Sequence, residues 1–335
     1  MSREQDRIKK KLEKNLIIEC NKIQQKFYPE LFKRFTEVND PRHQSYIEYS
    51  IQTMLGTLYY KCICGISSMQ EMTRTFNDEL VVKNLYAFVG EKIQDYLPHG
   101  VTINELLEKL DPEELENIQK GIAYSMIRRK TRLPIVITAY GLYVTQRVLQ
   151  ICKEYQWDYI IRYKEGCASS IAKEYRALPE VEKSGTDIEF QNDIMFQDFD
   201  VNLVYYKDKR KSDGEERITE FAWITSIRIT KTNAKKIVRA GRNRWKIENQ
   251  GFHRQKHWQG NIEHACSWNE RAQKNHYLME QIADFMKQLY EYFFLEKNEI
   301  KKLQKNISSE LLASFARPLT ETEDINTELQ KAILN

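Results

Sequence analysis

Glu248 stands alone among cations. From Lys231 to Lys256 the chain carries Lys235, Lys236, Arg239, Arg242, Arg244, Lys246, Arg254 and Lys256, and Glu248 is the one acidic residue of the segment. A carboxylate oxygen is a natural ligand for a hard divalent cation, and guanidinium and ammonium groups hold phosphate oxygens. Together these residue types suit phosphoryl chemistry on a nucleic-acid backbone, where a metal sits beside the phosphate under attack. Helical spacing would gather them, because Arg244, Glu248 and Phe252 fall at i, i+4 and i+8, and Gly241, Glu248 and Gln255 fall at sevenfold spacing. By spacing alone the plainer reading is an exposed amphipathic helix with an Arg244–Glu248 ion pair.

Other chemistry is thinner. His253, His257 and His264 lie near this segment and read as phosphate or solvent contacts rather than a zinc set. Of the six cysteines only Cys62 and Cys64 are close, and all read as buried thiols of a reducing compartment.

A lone carboxylate needs a scaffold. Leu133 to Tyr143 reads as a buried strand turning into a helix from about Val144 to Tyr155, and Trp157 to Lys164 as a second strand. Asp198 to Tyr206 and Glu216 to Ile229 flank the turn Ser212-Asp213-Gly214, which predicts a β-rich insertion over about 185–230.

The string from Arg244 to Lys256, with Trp245, Lys246 and Glu248, resembles the signature helix of bacterial insertion-sequence DDE transposases, in the insertion-sequence-four-like group with its Tyr-Arg-Glu-Lys pattern. On that resemblance Glu248 is the third metal-binding, catalytic carboxylate and Arg244 the arginine of the pattern. Gly241 stands where the tyrosine is expected, and Lys256 comes one residue late, with Gln255 in the usual place. Leu133 to Tyr143 is similar to the family strand ending in Ala-Asp-Gly-Leu-Tyr, whose aspartate is the second catalytic carboxylate. Here that position holds Tyr140. A phenol, with an ordinary pKa of about 10, is a poor ligand for Mg²⁺.

In the family the fold opens with strands that carry the first aspartate. Between Arg128-Arg129-Lys130 and Leu133 the chain has no room for them, and an internal deletion would produce this layout. The resemblance therefore implies an α+β chain, with an N-terminal helical bundle, an incomplete RNase H-like domain carrying the β-rich insertion, and a C-terminal helical region. The expected boundaries are 1–130 for a DNA-binding or dimerising helical region, 131–297 for the catalytic domain, and 298–335 for a polar tail. It implies Mg²⁺ or Mn²⁺ as cofactor, with Glu248 left as the metal ligand and two of three carboxylates absent. Two-metal chemistry needs several carboxylates to hold cations roughly 4 Å apart, so a catalytically defective transposase is expected. Asp158, Asp187, Asp193, Asp198 and Asp200 read as ordinary loop or strand-end acids. The implied partners are double-stranded DNA at transposon ends, a second copy, or a full-length transposase. The alternative reading is a non-catalytic DNA-binding regulator or inhibitor of such a transposase, and a plain helical interaction protein remains a third.

The N-terminal punctuation is helical. Asp40-Pro41 reads as a cap opening a helix through Leu58, Ser68 with Glu71 and Thr102 with Glu105 as capping boxes, and Asp111-Pro112 as the start of a helix reaching about Arg129. Asp40-Pro-Arg42 and Cys64-Gly-Ile-Ser-Ser68 resemble the helical segment that precedes the catalytic core in the family. Leu278, Ile282, Phe285, Leu289 and Tyr292 predict a long amphipathic helix packing on the catalytic half, and Ile325 to Ile333 a weak final helix. At 335 residues and net charge +4, the chain can bury a sizeable core and must owe any nucleic-acid surface to local clusters. The charged amino terminus and the lack of a long apolar run predict a cytoplasmic protein without a membrane partner.

Overall fold

The computed structural model describes the backbone of residues 15–128, 136–177, 180–212, 215–246, 251–259, 262–263 and 266–318. The content is α+β. The chain divides into two compact units, Met1–Thr131 with Gln250–Asn335, and Arg132–Asn249.

The first unit is helical, with α1 (Leu16–Phe27), α2 (Leu31–Thr36), α3 (Ile51–Ile63), α4 (Met69–Phe76), α5 (Glu79–Val89), α6 (Gly100–Lys109) and α7 (Pro112–Arg128). Helix α3 is apolar on nearly every side, and burial follows: of its residues only Gln52 is not buried. The Ser68 hydroxyl accepts from the Glu71 amide at 3.0 Å, and the Asp111 carboxylate accepts from the Glu113 amide at 3.0 Å, so those two caps form as expected.

Two other caps do not. Asp40 turns its carboxylate onto Arg42, whose guanidinium reaches it at 2.7 Å, and the helix opens later, where the Ser50 hydroxyl accepts from the Thr53 amide at 3.0 Å. Thr102 lies inside α6, which is capped instead by the His99 imidazole accepting from the Val101 amide at 3.2 Å. In both cases a nearby side chain with the right reach satisfies the orphan amide first.

The unit is completed from the far end of the chain by α11 (Glu270–Tyr290) and α12 (Gln304–Phe315). Helix α11, which was expected to pack on the catalytic half, packs on α1, α3, α6 and α7 of its own unit. Period fixes which face a helix buries and says nothing about its partner. Residues 298–318 are likewise no simple tail, since Ile307, Leu311 and Phe315 bury the i, i+4, i+8 face of α12 in the same core. The expected helix at 325–333 lies outside the described residues.

The second unit holds a six-stranded sheet in the order β1-β2-β6-β5-β4-β3. Its strands are β1 (Val136–Ala139), β2 (Asp158–Tyr163), β3 (Glu182–Ser184), β4 (Ile188–Phe196), β5 (Phe199–Ser212) and β6 (Glu215–Thr225). β1 and β2 are parallel and joined through α8 (Gln146–Glu154), as a parallel pair requires a crossover, and the remaining neighbours are antiparallel. β1 ends the sheet. Strand alternation sorts the side chains onto two cores. Tyr159, Ile161 and Tyr163 face the core that Leu149 of α8 and Ile171 of α9 (Ser169–Ala177) share, while Ile160 and Trp223 face Ile237 and Val238 of α10 (Ala234–Arg242).

Candidate functional site

Alternation on β2 places Arg162 and Lys164 on the face that carries Ile160, the side covered by α10. On the neighbouring strand Phe221 and Trp223 point the same way, and Arg162 stands directly across from Trp223 in the ladder. Helix α10 closes over this patch because it has a glycine at the contact. A Cβ on Gly241 would lie 2.6 Å from the Trp223 indole nitrogen, so the indole occupies the space that a side chain at 241 would need.

Between β2, β6 and the end of α10 lies a groove of about 620 Å³ lined by Tyr140, Arg162, Lys164, Phe221, Trp223, Gly241, Arg242, Arg244 and Trp245. Phe221 carries a guanidinium at 4.7 Å from Arg162 and another at 4.9 Å from Arg242. Arg162 also donates to the carbonyls of Ala222 at 3.1 Å and Glu220 at 3.3 Å, which fixes it to β6. Arg242 binds Asp208 at 2.7 Å. The Arg244 guanidinium lies 3.5 Å from the centre of the Tyr140 ring. Burial and the neighbouring charges of Arg244 and Arg242 push the Arg162 pKa down, a mark of cations held against their own repulsion.

The expected site residues separate. Lys235, Lys236, Arg239, Arg242, Arg244 and Lys246 belong to the sheet unit, and Arg254 and Lys256 to the helical unit. The signature segment is not one α-helix: α10 ends at Arg242, a 3₁₀ turn covers Asn243–Trp245, and Gln255–Gln259 is a π-helix. Glu248 lies outside the described residues. Arg254 was expected as a DNA contact. It is buried, with its guanidinium on Asp284 at 2.6 Å and Glu291 at 2.6 and 2.7 Å, and although burial works against the charge, the two carboxylates hold its pKa above the usual value. Lys256 is half-buried and paired with Glu263 at 2.6 Å.

Three of the five candidate substitute acids are engaged elsewhere. Asp158 accepts from the Ser226 hydroxyl at 2.8 Å, Asp193 pairs with Arg228 at 2.8 Å, and Asp198 accepts from Gln146 at 2.8 Å. Among the described residues no group of three or more His, Cys, Asp or Glu side chains is placed to hold a metal ion. The described groove offers a phenol under a guanidinium and four cationic side chains, a donor set that does not fit Mg²⁺ or Mn²⁺.

The family model described as DDE_Tnp_1-associated matches residues 32–121, which run from α2 into α7 of the helical unit. The match, which covers well under half of the chain, points to a DDE-type transposase family. No curated protein matches the chain. Among the described residues no helix is long and apolar enough to cross a membrane.

Proposed function

We propose that this transposase-related chain binds double-stranded DNA, at transposon ends, without cutting it. The observation that carries the reading is the stacking of Arg244 on Tyr140 at 3.5 Å, because it leaves a phenol covered by a guanidinium where the resembling family places a carboxylate and its metal. Phosphate binding survives such an exchange, whereas two-metal cleavage does not. On this reading Glu248 is the residual carboxylate of an incomplete RNase H-like site in an insertion-sequence-four-like chain that has lost its front strands. The protein would then occupy ends that a full-length transposase recognises, and so regulate or inhibit it.

The DNA face is the outer side of α10 with the residues that follow it. Lys235, Lys236 and Arg239 are solvent-facing on that helix, while Ile237 and Val238 face the core. Binding of a labelled duplex by the wild type and by an Arg239→Gln, Arg242→Gln, Lys246→Gln variant, titrated against salt, tests this. Each phosphate contact removed lowers the slope of log K against log salt by about 0.9, so the triple variant should bind more weakly at low salt with a slope flatter by up to about 2.7. Superimposable titrations would remove this face from the account.

A further inference from the structure

In the helical unit the fold brings together two of the three histidines near the basic segment, His253 and His257. They stand four residues apart on the helical stretch 251–259, which ends in the π-helix Gln255–Gln259, so their imidazoles leave from one side of it. The ring centres are 4.3 Å apart, with 60° between the planes. His264 lies outside the described residues. Both rings are exposed, whereas the turn that carries them is fastened from behind. Arg254, between them, is buried on Asp284 and Glu291, the Trp258 carbonyl accepts from the Ser308 hydroxyl of α12 at 3.0 Å, and the Ile262 amide donates to the Gln255 carbonyl at 3.3 Å. Lys256, the cation beside the pair in sequence, has its ammonium on Glu263 at 2.6 Å, which offsets its charge. Single π-turns inside helices are frequent at functional sites.

We propose that His253 and His257 together hold a divalent transition cation of the zinc and copper class, with water in the remaining positions. A cation about 2.1 Å from one nitrogen of each ring sets the ring centres of two neighbouring imidazole ligands roughly 4.5–5 Å apart, so the pair needs to open by less than about 1 Å. Imidazole suits Zn²⁺, Ni²⁺ and Cu²⁺, whereas Mg²⁺ selects oxygen ligands, so this site differs in chemistry from the carboxylate cage that the family resemblance implies. Two protein ligands leave the cation open to a further one. Binding ties residue 253 to residue 257 and so stiffens the turn between them. The inference stands whether or not the chain binds DNA.

The test titrates the full chain, first stripped with a chelator, with Cu²⁺ and with Zn²⁺, followed by calorimetry and by tryptophan fluorescence. Trp258 is the built-in reporter, because its ring centre is 4.8 Å from that of His253 and open-shell Cu²⁺ quenches an indole at such range. The expected result at pH 7.5 is one site that depends on both histidines, tighter for Cu²⁺ than for Zn²⁺ and not displaced by excess Mg²⁺. Binding should be lost at pH 5, since an imidazole must be neutral to ligate. His253→Gln and His257→Gln should each weaken it at least about tenfold, no less than the loss of an outer-shell partner costs a metal site. Trp258→Phe should remove most of the Cu²⁺ quenching and leave the calorimetric titration in place, and His43→Gln should change neither.

Far-UV circular dichroism of the variants separates a lost ligand from a lost fold, and a Zn²⁺-dependent rise in melting temperature, present in the wild type and absent in the His253→Gln, His257→Gln double variant, gives a second readout of the same site. A wild-type chain that binds neither cation at pH 7.5 overturns the inference and leaves the two rings as an aromatic cluster with Trp258. So does binding that the double variant retains, or that only one of the two single variants weakens. Displacement by Mg²⁺ also overturns it, because it would assign the cation to oxygen ligands.

Discussion

At the scale of single residues, the exchange at position 140 matters because it cannot be undone alone. An aspartate at 140 would meet the Arg244 guanidinium, which lies 3.5 Å from the present ring centre, and form an ion pair rather than a metal cage. Tyr140→Asp should therefore give no nicking of plasmid DNA in Mg²⁺ or Mn²⁺, and nicking by that variant would show that the rest of a metal site is in place. Glu280 is buried in the helical unit, and among the described residues neither of its carboxylate oxygens has a hydrogen-bond partner. Burial pushes its pKa up to about 7 against the attraction of Lys61. Burial pushes Lys287 the other way, down to about 8.

A carboxyl whose folded pKa is raised stabilises the fold fully below its unfolded value, near 4.5, and that stability is lost as pH rises through about 7. Lys287, with its folded value lowered, adds stability above 10.5 that is lost as pH falls through about 8. Melting temperature should thus drop from pH 4.5 to 7, by the equivalent of ~3 kcal/mol at most from Glu280. Glu280→Gln should flatten that part of the profile. An unchanged slope in the variant would mean that Glu280 is solvated or paired. None of this was legible beforehand, because α11 reads as an ordinary amphipathic helix and a buried acid has no local signature. Arg162 and Lys164 were legible in part: two cations two apart on a predicted strand share a face, but only the ladder puts Arg162 across from Trp223.

Elements were readable where the signal is local. Strands β2, β5 and β6 follow from alternation and turn chemistry, and the Ser68 and Asp111 caps from residues that bond amides two or three positions away. They were not readable where the partner is distant. Asp40 has the look of a cap until Arg42 takes its carboxylate, and α12 looks polar until its one apolar row meets a core assembled from the other end of the chain. Phe315 ends that row, with ring centres 5.1 Å from Tyr60 and 5.8 Å from both Phe76 and Phe88. Phe315→Ala should destabilise the helical unit by about 3–5 kcal/mol, as measured by denaturant unfolding followed by far-UV circular dichroism. A loss below about 1 kcal/mol would mean that α12 is an appendage and not part of the core.

For the whole molecule the unit boundaries carry the lesson. A continuous reading of the chain separates an N-terminal bundle from everything after it, whereas the helical unit is built from both ends and the sheet unit is the stretch between. The sheet unit ends on β1, whose one partner among the described residues is β2. Val136 on this strand is 37% exposed, and an apolar strand at a sheet edge is a template for association. Sedimentation at rising concentration should show self-association that Val136→Lys weakens, and a chain that stays monomeric throughout would mean that the edge is covered.

The reading as a whole is tested most directly by one measurement on supercoiled plasmid: binding and nicking followed together, on the same gel, at saturating protein in Mg²⁺ and in Mn²⁺. The account predicts a complete shift of the plasmid with no relaxed or linear product in either metal. Metal-dependent nicking by the wild-type chain that disappears in Glu248→Ala would contradict it.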